Sequence, residues 1–339
     1  MAVQWITFAA VMLITLALLC CALVVLMANT LLRPNRMTDA RATWILMRLS
    51  PRDLNLDFEE LSFDVRDERT AKPLKIRAWW IPAGAPATKT MLLIHGYADA
   101  KVGGIAWAPA IHSCGWNILA IDLRAHGESG GVHSTAGFWE RHDVNQVLNQ
   151  FRAGRPRQTH TLAIFGVSLG AAVALAATVE RDPCDIAGVI LESPFGDYRR
   201  AITAHGRMRG LPQGIIRDAA VRLAEMISGA DFRAVRPEDL VKQVKCPVML
   251  IQAGDDPFIL DDDYQAMAAA VCSRGNALDV VWQVDRAGHV LSLAVSPQEF
   301  VARLCAFLDS LPAPMASRSA AEVGEQTRHD EVSSPTTSQ

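Results

Sequence analysis

The sequence predicts an α/β fold in which a mostly parallel, twisted eight-stranded sheet carries helices on both faces. Between about residues 58 and 308, short apolar runs alternate with stretches of helical spacing, as in strands joined by crossover helices. Most of these runs are continuously apolar, which is typical of strands buried on both faces. The chain has 339 residues, 50% of them hydrophobic, which suffices for one large core.

The predicted elements follow one another in a regular order. The first two strands alternate in polarity and form a hairpin, and the later ones are buried runs. Strands are predicted at residues 58–65, 74–81, 91–94, 117–121, 162–165, 187–191, 248–252 and 278–284. Helices are predicted at residues 138–152, 171–180 and 297–308.

Two regions depart from this alternation. Residues 197–236 are helical, interrupted by Gly and Pro, and predict a cap inserted over the carboxyl edge of the sheet. The cap is rich in arginine, which favours either an anionic lipid or substrate, or simply a solvated helix face. The apolar residues of the cap either line an acyl pocket or pack the cap against the sheet domain. Residues 312–339 are rich in Ala, Ser, Thr, Glu and Pro and predict a disordered tail.

The N-terminus predicts a membrane anchor at residues 1–32. This segment has no charged side chain, and residues 6–27 are long enough to cross a bilayer core of roughly 30 Å. It lacks a positive n-region and a well-placed cleavage site, so an uncleaved anchor is favoured over a cleaved signal. Residues 33–57 are predicted as a juxtamembrane linker with a short helix near 42–49. Five arginines follow the segment and predict a cytoplasmic domain, with a periplasmic or extracellular one as the alternative: Arg33, Arg36, Arg41, Arg48 and Arg52.

Composition excludes several classes of partner. The formal net charge of −3 gives no reason to expect nucleic acid. The chain has seven cysteines, two of them in the apolar N-terminal segment and the rest scattered without C-x-x-C spacing. This pattern argues against a disulfide framework or a zinc site, and favours a reducing compartment. No metal and no cofactor is expected.

A serine between two glycines is the strongest chemical signal. The stretch GVSLG at residues 166–170 matches G-x-S-x-G, follows a predicted buried strand and precedes a predicted helix. Such a sharp turn holds Ser168 in a strained backbone conformation with its hydroxyl projecting, and leaves no room for side chains at Gly166 and Gly170. The N-terminus of the following helix favours negative charge beside that hydroxyl.

With four further stretches, this motif resembles the α/β-hydrolase superfamily, in its serine aminopeptidase and lysophospholipase-like branch. They are IHGY at residues 94–97, DLRAHGESG at 122–130, GDDPFIL at 254–260 and AGH at 287–289. The order serine, acid, histidine is that of the superfamily. The resemblance covers about residues 58–311, and implies an α/β-hydrolase domain there.

The resemblance implies a catalytic triad. Ser168 is the expected nucleophile and His289 the base that takes its proton. Asp256, which stands before a short P-F-I run, is the expected acid. Asp255 is the neighbour that competes with it, and Glu192 occupies the place where some relatives carry their acid.

The resemblance also implies an oxyanion hole made by the backbone N–H groups of Tyr97 and Leu169. His95 and His126 are expected to brace the loops around this hole, and a catalytic role for His95 is the alternative. No pair of histidines shows metal-ligand spacing with carboxylates.

Together these features predict a membrane-anchored serine hydrolase that cleaves a carboxylic ester, lysolipid or thioester through an acyl-enzyme on Ser168. The expected partners are a small-molecule or lipid ester as substrate, and membrane lipids around the anchor. A serine peptidase of the aminopeptidase type is the enzymatic alternative. A membrane-tethered scaffold that has lost turnover is the non-enzymatic one.

Overall fold

One sheet organises the chain, in the spatial order β1-β2-β4-β3-β5-β6-β7-β8. The computed structural model describes residues 1–84 and 86–312. β1 pairs antiparallel with β2, β2 pairs antiparallel with β4, and all further pairs are parallel, which confirms the predicted fold class. The strands are β1 Glu59–Arg66, β2 Pro73–Ile81, β3 Lys89–Ile94, β4 Asn117–Ile121, β5 Thr161–Val167, β6 Gly188–Glu192, β7 Val248–Ala253 and β8 Val280–Val284.

Helices cover both faces of the sheet, and the alternation along β3 shows why. Leu92 and Ile94 pack into the core on one face with α5, α6 and α10, whereas Met91 and Leu93 pack on the other face with α4 and α12. The helices are α1 Ala2–Leu32, α2 Asp39–Leu46, α3 Lys101–Gly104, α4 Ala108–Ser113, α5 Glu140–Gly154, α6 Leu169–Val179, α7 Tyr198–Met208, α8 Ile215–Ser228, α9 Pro237–Leu240, α10 Asp261–Cys272, α11 Ser292–Val295 and α12 Pro297–Ser310.

The helix α10 is absent from the sequence prediction. Its first turn carries three aspartates, Asp261 to Asp263, and acidic side chains there interact favourably with the N-terminal end of the helix dipole. This run of aspartates is the sequence feature that indicates the start of α10, because the apolar residues of α10 show little helical spacing.

Two cap helices, α7 and α8, lie between β6 and β7, in the segment for which the sequence predicts an insertion. The cap packs beside α1, mainly through α8. Of the predicted tail at 312–339, all but Pro312 lies outside the described residues.

The helix α1 is continuous over 31 residues, a length of about 46 Å. Residues 1–19 are exposed throughout, whereas Met27, Ala28 and Leu32 are buried against the rest of the chain. Within residues 1–84 and 86–312, α1 is the one helix long and apolar enough to cross a bilayer. The N-terminal part of α1 is therefore free of contact with the described chain, whereas its C-terminal turns pack against the sheet domain and the cap.

The segment after α1 lies bonded to the sheet domain. The guanidinium of Arg36 donates to the carbonyl oxygens of Gly127, Ser129 and Gly131, at 2.6 to 2.9 Å. Arg48 donates to the carbonyl oxygen of Val102 at 3.0 Å. The predicted linker at 33–57 therefore fixes the end of α1 to the loop that follows β4.

One disulfide joins Cys114, just after α4, to Cys305 in α12. The cysteine spacing predicted no disulfide framework and gave no sign of this pair, because 191 residues separate the two cysteines. Only the packing of α4 beside α12 brings them together.

Candidate active site

Ser168 occupies the sharp turn between β5 and α6. Its backbone has φ +52° and ψ −112°, a strained conformation for a residue with a side chain. The N–H of Ser168 donates to the carbonyl oxygen of Glu192 at 2.8 Å, which ties the turn to the end of β6. Within residues 161–178, Ser168 is partly exposed and all its neighbours are buried. The turn thus presents one hydroxyl at the surface of a buried element.

The two glycines beside Ser168 allow the close approach of three backbone segments. A Cβ added at Gly166 would lie 2.6 Å from the Cα of Ala171, and one at Gly170 would lie 2.6 Å from the carbonyl oxygen of His95. Both distances are shorter than any normal carbon contact. The sequence-based reason for glycine at these positions therefore agrees with the geometry.

The structure brings Ser168, His289 and Asp256 into one chain of contacts. His289 Nε2 lies 3.0 Å from the Oγ of Ser168, and His289 Nδ1 lies 2.6 Å from the Oδ2 of Asp256. Asp256 follows β7 and His289 follows β8, so the carboxyl ends of parallel strands place all three groups at one edge. The N–H groups of Phe258 and Ile259 donate to the Oδ1 of Asp256, at 2.8 and 3.1 Å, and hold its carboxylate in place.

The two competing carboxylates do not contact His289. Asp255 is exposed, and its backbone N–H donates to the carbonyl oxygen of Ala287, in the loop after β8, at 2.9 Å. Glu192 is fully buried at the end of β6, where its carboxyl faces Ser292 rather than His289. Burial, with a smaller contribution from the charge of Asp256, raises the pKa of Glu192 to about 8.

The N–H groups expected to form the oxyanion hole both lie near Ser168. Leu169 is the first residue of α6, a position whose N–H has no partner inside the helix. The loop before Tyr97 approaches closely, since a Cβ added at Gly96 would lie 3.5 Å from the Cβ of Ser168. Neither N–H donates to a backbone carbonyl among the described residues. Two donors are thus available beside the hydroxyl.

His95 and His126 lie behind this site. His95 is buried, its Nδ1 is 2.7 Å from the carbonyl oxygen of Gly96, and its Nε2 is 3.0 Å from the backbone nitrogen of Leu123. Burial and the neighbouring His126 lower the pKa of His95 well below its usual value, so a neutral ring donates through Nδ1 and accepts at Nε2. His95 thereby joins the loop of Gly96 to the loop after β4.

A mostly apolar pocket opens over Ser168 and His289. Its walls come from the β6–α7 connection, the cap, the loop after β7 and the C-terminal end of α1. Aromatic side chains are prominent in the lining: Phe195, Tyr198 and Phe258.

Solved structures with the same architecture include the esterase Pf2001 of Pyrococcus furiosus. It superposes with a TM-score of 0.65 at 22% identity, over 83% of this chain and 98% of that one. Residues 85–229 also match the family model described as serine aminopeptidase, S33. The chain has the α/β-hydrolase fold.

Curated relatives of the chain match over part of their length. The uncharacterised protein YqkD of Bacillus subtilis (strain 168) is 28% identical over 174 residues, or 50% of this chain and 56% of YqkD. Lysophosphatidylserine lipase ABHD12 of Macaca fascicularis is 27% identical over 201 residues, or 55% of this chain and 46% of that protein. The chain spans about half the length of the curated relatives it matches.

The sequence did not predict several of the residues that line the pocket. Phe195 and Phe258 lie in loops, where periodicity gives no signal. Of the cap's apolar residues, Leu211 lines the pocket, whereas Ile215 and Met226 are 88% and 80% exposed. The contribution of α1 to the pocket depends on a contact between segments distant in sequence.

The buried carboxyl of Glu192 makes stability depend on pH. In the unfolded chain this carboxyl loses its proton near pH 4.5, whereas in the folded protein it keeps the proton until about pH 8. The free energy of unfolding therefore falls as pH rises from about 4.5 to 8. We expect the fall in Tm from pH 5 to pH 8 to be smaller in Glu192→Gln than in wild type, by about 3 °C or more. Calorimetry at both pH values measures this, with exposed Glu68→Gln as control. An equal fall in all three proteins would contradict a buried protonated carboxyl.

Proposed function

We propose that this α/β-hydrolase is a membrane-anchored serine hydrolase that cleaves carboxylic esters of lipids through an acyl-enzyme on Ser168. The observation that carries the proposal is the unbroken chain of contacts from Ser168 Oγ through His289 to the carboxylate of Asp256. A serine hydroxyl becomes a useful nucleophile when a base in contact takes its proton and a carboxylate orients that base.

The proposed mechanism has two halves. Ser168 Oγ attacks the ester carbonyl carbon while His289 Nε2 takes the hydroxyl proton, and the N–H groups of Tyr97 and Leu169 hold the developing oxyanion. His289 then gives that proton to the departing alcohol oxygen, which leaves the acyl group on Ser168. A water molecule, deprotonated by His289, attacks the acyl carbon. The bond between that carbon and Ser168 Oγ then breaks, His289 returns the proton to Oγ, and the carboxylic acid leaves. Asp256 stabilises the imidazolium formed in each half.

The pocket lining favours an ester over an aminopeptidase substrate. An aminopeptidase needs a negative group to hold the free α-amino group of its peptide. No aspartate or glutamate of the described part of the chain lines this pocket, whereas apolar and aromatic side chains dominate it. The names of two similar proteins, an esterase and a lysophosphatidylserine lipase, point in the same direction.

Labelling with a fluorophosphonate probe tests the proposal directly. The full-length protein in detergent should react covalently, and labelling should disappear in Ser168→Ala and fall strongly in His289→Ala. A panel of acyl esters, lysophospholipids and aminoacyl amides then separates esterase from peptidase activity. Folded wild type that neither labels nor turns over any of them would favour the scaffold alternative.

A cationic side chain at the pocket gives a prediction about the headgroup. Two arginines line the pocket, Arg209 and Arg217. Arg217 is paired with Asp218 at 2.9 Å, whereas Arg209 makes no ion pair with the described residues. A guanidinium without such a partner is a suitable site for phosphate or carboxylate. We expect Arg209→Gln to raise KM for a lysophospholipid with an anionic headgroup by about tenfold.

The matched control is Arg222→Gln, a change of the same type at an exposed cap position outside the pocket lining. Steady-state kinetics with an anionic lysophospholipid and a neutral monoacylglycerol form the assay. A similar rise in KM for both lipids in Arg209→Gln would contradict a headgroup contact.

Anchoring by α1 is part of the proposal. Its exposed apolar length suits a bilayer, and the arginines that follow it favour a cytoplasmic domain. The Cys114–Cys305 disulfide favours the opposite side, because such bonds persist in oxidising compartments. Labelling of exposed Cys184 by a membrane-impermeant maleimide in intact cells decides between them.

A further inference from the structure

The last two turns of α1 form one wall of the pocket that contains Ser168. Met27, Thr30 and Leu31 line this pocket together with the nucleophile and His289. The hydroxyl of Tyr97 donates to the carbonyl oxygen of Thr30, which fixes α1 to the loop beside the nucleophile. A helix that served only as a tether would not need to reach the reacting groups.

The exposed part of α1 matches the thickness of a membrane. Residues 2–19 are exposed and helical, which corresponds to roughly 27 Å against a hydrocarbon core of roughly 30 Å. Met27 lies about 12 Å further along the same helix. The pocket wall therefore begins about two helical turns beyond the fully exposed part of α1, on the same apolar helix.

From this geometry we propose that Met27 and Leu31 of α1 bind the acyl chain of the substrate and set its preferred length. The inference rests on the proposed ester hydrolysis at Ser168 and adds to it a binding role for the anchor. Both side chains are apolar and lie on the same face of α1, four positions apart. An acyl chain that leaves the ester carbonyl at Ser168 meets this face as it runs toward the membrane.

Chain length is the variable that this arrangement controls. Each methylene buried against an apolar wall strengthens binding by about fourfold, so wild-type kcat/KM should rise with acyl length until the pocket is filled. An acetyl group has a single methyl beyond its carbonyl, so it buries far less apolar surface against α1 than a long chain does. The side chains of α1 should therefore affect long esters and leave short ones unchanged.

The experiment compares Leu31→Trp with Leu26→Trp in the full-length protein. Leu26 is on the same helix, is 63% exposed and is outside the pocket lining. The substrates are p-nitrophenyl esters from acetate to myristate, presented in mixed micelles. We expect Leu31→Trp to lower kcat/KM for chains of ten or more carbons by about tenfold or more, and to change the acetate value less than about threefold. Leu26→Trp should change neither.

A second pair, Leu31→Ala and Leu26→Ala, removes contacts without adding bulk and supplies the result if the tryptophan variant does not fold. Leu31→Ala should flatten the rise of kcat/KM with chain length, and Leu26→Ala should keep the wild-type slope. Equal effects of the Leu31 variants on acetate and long esters, or none on either, would overturn the binding role of α1. Serine-dependent turnover of acetate in those proteins would still support the proposed function. A wild type inactive on every ester would instead remove the hydrolase proposal.

Discussion

Replacing Ser168 with alanine is expected to lower kcat for ester hydrolysis by about 10⁴- to 10⁶-fold and to abolish fluorophosphonate labelling. The reason lies in the geometry of the turn. The hydroxyl that would form the acyl-enzyme is 3.0 Å from His289 Nε2, and alanine supplies no atom for the new bond. The residual rate should come from the oxyanion donors and from binding alone.

The matched control is Ser113→Ala, which removes a hydroxyl from the end of α4, outside the pocket lining. Both variants should melt cooperatively, because the Ser168 side chain is partly exposed and the Ser113 side chain is exposed, so neither change opens a cavity in the core. Rates are compared on one short ester under single-turnover conditions. Turnover in Ser168→Ala within tenfold of wild type would remove this serine from the mechanism.

Replacing Asp256 with asparagine is expected to lower kcat by about 10⁴-fold, whereas Asp255→Asn should stay within about threefold of wild type. The two residues are adjacent, yet only Asp256 contacts His289, with 2.6 Å between Oδ2 and Nδ1. An amide cannot stabilise the imidazolium, and it favours the wrong tautomer of the ring. Asp255 is exposed and has no part in that contact.

The pair of variants is informative because each has the same chemical change at neighbouring positions. Both should retain fluorophosphonate labelling, but with a much slower rate for Asp256→Asn. If Asp255→Asn proved the slower enzyme, the acid loop would be displaced by one residue during catalysis. If neither variant lost activity, Glu192→Gln would be the next protein to assay.

Local sequence was sufficient for the elements that carry the chemistry. The turn at Ser168 and the position of His289 after the last strand follow from short motifs, and the parallel strands from continuous apolar runs. The resemblance favours Asp256 over Asp255 and Glu192, but the sequence gives no sign of the N–H groups of Phe258 and Ile259 that hold the Asp256 carboxylate. Such loop hydrogen bonds leave no periodic signal in the sequence.

Local sequence patterns also could not predict the contacts between segments that are distant in sequence. The apolar length of α1 indicated a helix for a bilayer, but its last turns have the same composition as its first. Their burial is decided by α8 and by the loop at Tyr97, which lie far away in sequence. The pairing of Cys114 with Cys305 could not be predicted for the same reason.

The bond from the Tyr97 hydroxyl to the Thr30 carbonyl has a mechanical consequence. A membrane helix responds to hydrophobic mismatch by tilting, because its apolar length must fit the hydrocarbon thickness of the host bilayer. Tilting α1 would move Thr30, and with it the loop whose N–H is proposed to hold the oxyanion. Lipid composition would then set the turnover rate through bilayer thickness, even for a water-soluble ester that never enters the membrane.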